Sequence, residues 1–302
     1  MQLPRSSRMK SVGPLVLPRN LVDPAGREGW SAWLAETLPK VINQARELWS
    51  LTLGGPFQPG GQTAWVAPAR DGSDADLVLK VVWPHPEAAH EADGLRAWAG
   101  NGAVLLRAAK VFDGAVALLV ERCAPGWPLS CRPEPEQDVV IAGLLHRLWI
   151  KPAKAHPFQP LQVMCQQWAD SFERRVDMSV VRLDSGLVRA GIALFRELPA
   201  SGADQVLLCT DLHAGNVLAA AREPWLVIDP KPYVGHPAYD VLQHMLNCAE
   251  RLAADPHGLA RRMASLLAID PARVLLWLFA RCVQQSPEWS ELAEVARRVA
   301  PS

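Results

Sequence analysis

Two stretches of the chain run an apolar segment straight into an acid. In Cys209-Thr-Asp-Leu-His-Ala-Gly-Asn216 the run Val206–Cys209 delivers Asp211, and Asn216 follows five residues later, just before Val217-Leu218. Trp225-Leu-Val-Ile-Asp229-Pro-Lys231 repeats the design with Asp229. Two carboxylates and a carboxamide at the ends of neighbouring strands suit a hard, oxygen-ligated Mg²⁺. In that scheme Asn216 and Asp229 hold the metal, and Asp211 accepts a hydrogen bond from a substrate hydroxyl. Taken singly, each of these residues is more ordinarily a turn former that satisfies its own backbone. Their combined spacing shifts the balance.

Asp-x4-Asn is the catalytic-loop spacing of kinases, whose chemistry asks for metal, positioning and little covalent help. Such chemistry also needs a lysine on a strand to bind phosphates and a glutamate to hold it. Lys80 sits inside Leu77-Val-Leu-Lys-Val-Val-Trp83, where a lysine is costly unless paired. Glu91 follows eleven residues later on a helical face shared with Ala88, Ala92, Leu95 and Trp98. The alternative is an edge-strand lysine that snorkels outward, with an ordinary solvated helix beside it. Gly60-Gly61-Gln62-Thr63 lies between two short strands, where glycine amides can approach phosphates. A plain turn fits those residues equally well. Lys231 could neutralise phosphate charge, and His213 reads as structural. Trp149, Trp168 and Trp277 are candidates to line an acceptor pocket.

These residues must be positioned by an α+β arrangement. Apolar residues recur at helical spacing from Trp30 to Leu51, with a kink expected at Pro39. Strands are expected at Ala64–Val66, Leu77–Trp83, Val104–Leu106, Lys110–Phe112 and Ala115–Val120, with a helix at Glu87–Trp98. Helical patterns then cover Gln137–Leu148, Leu161–Val176, Ser185–Leu198, Tyr239–Ala253, Pro256–Leu267, Pro271–Gln284 and Glu288–Val299. The outline is a sheet-rich, nucleotide-binding lobe over residues 1–123 and a mainly helical lobe over 124–302, joined through Glu121–Pro128.

Leu208–Asn216, Ile228-Asp229-Pro230-Lys231 and Gly235-His-Pro-Ala-Tyr-Asp240 together resemble the aminoglycoside phosphotransferase family. Within it the chain is similar to streptomycin 6-kinases and hydroxyurea phosphotransferases, from about Leu17 to the end. The resemblance implies a protein-kinase-like bilobal fold, ATP with Mg²⁺, and an antibiotic-type hydroxyl acceptor. It also implies adenine contacts at the Glu121 carbonyl and the Cys123 amide. Asp240 would brace the catalytic loop, although helix capping serves that residue as well. The family usually carries His-Gly before the catalytic aspartate, where this chain has Cys209-Thr210. That substitution keeps two alternatives open: a nucleotide-binding pseudokinase, or a kinase of a metabolic alcohol.

Bulk properties narrow the partner. Lys plus Arg and Asp plus Glu both total 31, so no net charge points to nucleic acid or a membrane surface. The six cysteines show no metal-binding spacing and suit free thiols of a reducing compartment. Arg5, Arg8 and Lys10 precede Val12–Leu17, which is too short and interrupted for a cleavable signal. A cytoplasmic monomer acting on a small-molecule hydroxyl acceptor is expected.

Overall fold

The computed structural model describes residues 15–22, 28–175, 183–202 and 204–301. Arg5, Arg8 and Lys10 and the expected helix end at Val176 lie outside the described residues. The chain divides into two compact units, residues 1–84 with 107–121, and residues 85–106 with 122–302. The segment carrying Glu91 therefore groups with the helical unit rather than with the sheet that precedes it. The second crossing falls between Glu121 and Arg122.

The first unit opens with α1 (Arg19–Val22) and α2 (Trp30–Ala32), and continues through a π-helical stretch, Trp33–Thr37, into α3 (Leu38–Leu48). Pro39 falls where the π-helical stretch passes into α3, so the expected disturbance coincides with a change of helical pitch within one continuous run. A sheet ordered β1-β2-β3-β5-β4 follows. Its strands are β1 (Thr52–Leu53), β2 (Ala64–Arg70), β3 (Asp76–Val82), β4 (Leu106–Phe112) and β5 (Ala115–Glu121). Leu77, Leu79 and Val81 of β3 point into one core with Trp30, Trp33 and Leu38. Trp30, Trp33 and Trp83 pack with ring centroids 5.2 to 5.4 Å apart. The Trp33 indole N–H donates to the Gly114 carbonyl at 3.0 Å, tying the helix to the β4–β5 turn. By strand alternation Lys80 lies on the opposite face of β3, between Val66 and Leu118, and is buried.

The second unit begins with a 3₁₀ turn, Pro86–Ala88, and α4 (Glu91–Trp98). Its helices are α5 (Glu134–Leu148), α6 (Leu161–Arg175), α7 (Ser185–Glu197), α8 (Leu242–Asn247), α9 (Ala249–Ala254), α10 (Pro256–Leu267), α11 (Pro271–Gln285) and α12 (Leu292–Val299). Two short two-stranded antiparallel sheets are set among them: β6 (Val206–Leu208) pairs with β9 (Tyr233–Gly235), and β7 (Val217–Ala219) with β8 (Trp225–Val227). Trp277, Leu278 and Phe279 of α11 are fully buried, so this helix is a central post of the unit. Among the described residues no helix is long and apolar enough to cross a membrane.

Candidate active site

The two small sheets bring Asp211 and Asp229 together. After β6 the chain turns sharply, with the Asp211 N–H donating to the Cys209 carbonyl at 2.8 Å. A 3₁₀ turn at Ala214–Asn216 follows, capped by His213, whose Nδ1 accepts from the Gly215 N–H at 3.1 Å. That cap explains His213 as a structural group, and burial lowers its pKa. The Lys231 N–H donates to the Cys209 carbonyl at 2.9 Å, stitching the end of the second acid segment to the start of the first.

Lys231 sits between the carboxylates, its Nζ 2.8 Å from Asp211 Oδ2 and 3.4 Å from Asp229 Oδ1. Burial opposes a charge on this lysine, but the fields of Asp229 and Asp211, with a further contribution from Glu91, raise its pKa above the ordinary value. The Asn216 Nδ2 donates to the Asp211 carbonyl oxygen at 3.0 Å, leaving its Oδ1 as the atom for a cation. Two carboxylates beside an amide oxygen fit the donor set of Mg²⁺. Asp229 and Asn216 would hold the ion.

Two residues of the loops adopt left-handed backbone, Thr210 at φ 54° and Asp229 at φ 51°. For a β-branched threonine this conformation costs about 1–2 kcal/mol. Asp240 holds it in place. Its carboxylate accepts from the Cys209 N–H at 2.9 Å, the Thr210 N–H at 2.5 Å and the Trp149 indole N–H at 3.1 Å. The Thr210 hydroxyl adds a bond to the Lys231 carbonyl at 2.5 Å. The turn that a glycine would adopt without strain is therefore enforced by one buried carboxylate. Burial pushes the Asp240 pKa up to about 6 against those donors. Cys209, fully buried in the histidine's place, has its thiol pKa raised well above normal by desolvation.

A cavity of about 200 Å³ opens beside Asp211 and Lys231 and is lined also by Glu87, Trp168, Tyr239 and Arg281. Glu87 lies on the Pro86–Ala88 turn rather than in the helix expected there, and burial raises its pKa. Glu87 and Arg281 were not singled out by the sequence. Of the three tryptophans considered for such a pocket, Trp168 lines this cavity. Trp149 instead supports Asp240, and Trp277 is buried against Tyr239 and Phe195.

The remaining predicted residues are distributed over both units. Glu91 is the first residue of α4 and is 4% exposed. Its helix packs on the second acid segment, since a Cβ on Gly94 would lie 2.8 Å from Pro232. In the first unit Gly60 has φ 80° and has no room for a Cβ against Pro18, while its carbonyl accepts from Asn20 Nδ2 at 2.9 Å. Gly61 and Gln62 follow it, and the Thr63 carbonyl accepts from the Trp83 N–H at 2.8 Å. Glu121 ends β5, and Cys123 is half-buried just past the unit boundary.

The family model described as aminoglycoside/hydroxyurea antibiotic resistance kinase matches residues 53–292. The chain is 33% identical over 305 residues to a hydroxyurea phosphotransferase of Kitasatospora aureofaciens, covering 95% of this chain and 84% of that protein. It is 31% identical over 288 residues to a streptomycin 6-kinase of Streptomyces griseus, covering 92% of each. Among solved structures, a thermostable aminoglycoside phosphotransferase mutant in ternary complex with ADP and hygromycin B aligns with a TM-score of 0.57. The identity is 16%, over 86% of this chain and 96% of that one, and the likeness is one of fold: protein-kinase-like, as the sequence led us to expect.

Proposed function

The chain belongs to the aminoglycoside/hydroxyurea antibiotic resistance kinase family, and on that premise we propose how its residues divide the work. It is an ATP-dependent phosphotransferase that acts on a hydroxyl of a small molecule, an aminoglycoside-type antibiotic or hydroxyurea. Asp211 accepts the proton of the acceptor hydroxyl and orients its oxygen for attack on the γ-phosphoryl group. Asn216 and Asp229 hold Mg²⁺, which supplies neutralisation of phosphate charge when bound. Lys231 holds the Asp211 carboxylate in place, and Asp240 fixes the turn that presents it.

Lys80 grips the α- and β-phosphates and Glu91 holds Lys80. Gly60, Gly61, Gln62 and Thr63 cover the phosphates, and the main chain of Glu121 and Cys123 takes the adenine. The protein acts as a cytoplasmic monomer. The observation that carries this reading is the lysine clamped between two loop carboxylates at the mouth of a cavity. The presence of Asp240 under Cys209 and Thr210 favours an active loop over a pseudokinase, because the support does not depend on a histidine.

The test is ATP-dependent phosphorylation of aminoglycosides, hydroxyurea and common alcohols, with labelled product as the readout. Asp211→Asn should lower kcat by about 10²–10⁴-fold, the usual weight of a general base. Unchanged turnover in that variant would remove Asp211 from its role. Labelling of a metabolic alcohol alone would move the acceptor class.

A further inference from the structure

Arg281 is the one cation lining the 200 Å³ cavity that no acid neutralises. Lys231, the other, is committed to Asp211 and Asp229. Arg281 is 6% exposed and emerges from the buried post α11, with its guanidinium carbon 4.4 Å above the centre of the Trp168 ring. Its Nη1 donates to the side-chain oxygen of Gln284, a neutral partner one turn on. Among the described residues no carboxylate closes an ion pair with it. Glu87, across the same cavity, exerts only a field on it and is itself desolvated and less acidic than usual. A buried guanidinium held over an indole, with donors unspent beside the reacting site, is set up to take oxygen from a ligand.

We infer that Arg281 selects the acceptor: it takes the oxygen of a carbonyl or carboxylate group whose carbon lies two bonds from the reacting hydroxyl oxygen, and it turns away guanidinium and ammonium groups. This rests on the reading of Asp211 as the group that receives the hydroxyl proton. With the hydroxyl on Asp211, a neighbouring carbonyl oxygen lies within the compass of a cavity this small. The cavity falls below the roughly 300–1,000 Å³ of sites that enclose drug-sized ligands. A polyguanidinium acceptor would place like charge against Arg281, the repulsive element on which selectivity usually depends. The predicted order of acceptors is therefore hydroxyurea and acetohydroxamate, each with a carbonyl beside N–OH, ahead of streptomycin.

The experiment compares kcat/KM for hydroxyurea, acetohydroxamate and streptomycin in the wild type, Arg281→Gln and Arg281→Lys, with a melting curve for each. In the wild type both carbonyl acceptors should lead streptomycin. In Arg281→Gln the ratio of hydroxyurea to streptomycin should fall at least about tenfold, mainly through a raised KM for hydroxyurea. Arg281→Lys, which keeps the charge, should hold the order even if both rates drop, and it decides the matter should the glutamine variant not fold. A wild type that prefers streptomycin, or a ratio unmoved by Arg281→Gln, overturns the role given to Arg281 while leaving Asp211 in place. Labelling of none of the three would overturn the parent reading, and this inference with it.

Discussion

Asp138 and Asp211 belong to the same helical unit and both meet cations, yet they are finished differently. Asp138 is fully buried. Its Oδ1 meets His244 Nε2 at 2.9 Å, and its Oδ2 meets Arg251 Nη2 at 2.9 Å and Arg262 Nε at 2.6 Å. Cys248 brings its sulfur to 3.9 Å of the same imidazole nitrogen, so these groups cluster as metal ligands do. Two guanidiniums already take the carboxylate's oxygens, and the cluster reads as a closed anchor between α5, α8, α9 and α10. Asp211 and Asp229 retain 26% and 42% side-chain exposure and share one lysine. Charge satisfied from all sides and buried holds a fold together, and carboxylates that stay partly exposed at a cavity mouth can be reached by a ligand.

Breaking the closed cluster should cost most in stability. Asp138→Ala removes the shared partner of two guanidiniums and an imidazole from a buried position, and the expected loss is about 3 kcal/mol by denaturant unfolding, with KM for the acceptor unchanged. The same carboxylate gives a signed pH effect. Burial opposes its charge, but hydrogen bonds from His244, Arg251 and Arg262 outweigh that and hold its pKa well below the usual range. Its stabilisation is therefore present above the ordinary carboxylate value near 4 and is lost as pH falls further.

Asp240 has the opposite sign. With a folded pKa of about 6 it binds its proton more tightly in the native state, so its contribution declines as pH rises from about 4 to 6 and is then constant. Replacement by Asn should remove a slope of roughly 3 kcal/mol over that window, read from melts across pH. The third variant should have the smallest effect. Lys231→Met should lower kcat about 10–100-fold, the weight of a charged hydrogen bond, and shift stability by less than about 1 kcal/mol because both acids face water. A large stability loss there would make the open site a second anchor and erase the distinction.

Much of this site was legible because the residues at issue violate local expectation. Asp211 and Asp229 end apolar strands, and Lys80 and Glu91 sit where charge is costly, so each is visible without a fold. Arg281 was equally anomalous. It follows Leu275-Leu-Trp-Leu-Phe-Ala280 and shares a helical face with Trp277 and Leu278, both fully buried. Its partner Trp168 lies more than a hundred residues earlier on α6, and no periodicity connects the two. Glu87 was lost for a different reason: a short 3₁₀ turn replaced the expected first turn of a helix, which changed the direction of its side chain. The support beneath Cys209-Thr210 could not be read locally either, since the carboxylate that supplies it comes from position 240.

Cys209 has a consequence outside catalysis. A thiol reacts with oxidants and alkylating agents as its thiolate, and burial denies Cys209 that form. The cysteine two positions from Asp211 therefore makes the loop chemically quiet. Cys131, the exposed cysteine among the described residues, is where such reagents would land first. Oxidative damage and covalent labels would thus begin at a residue remote in sequence from the loop that carries Asp211.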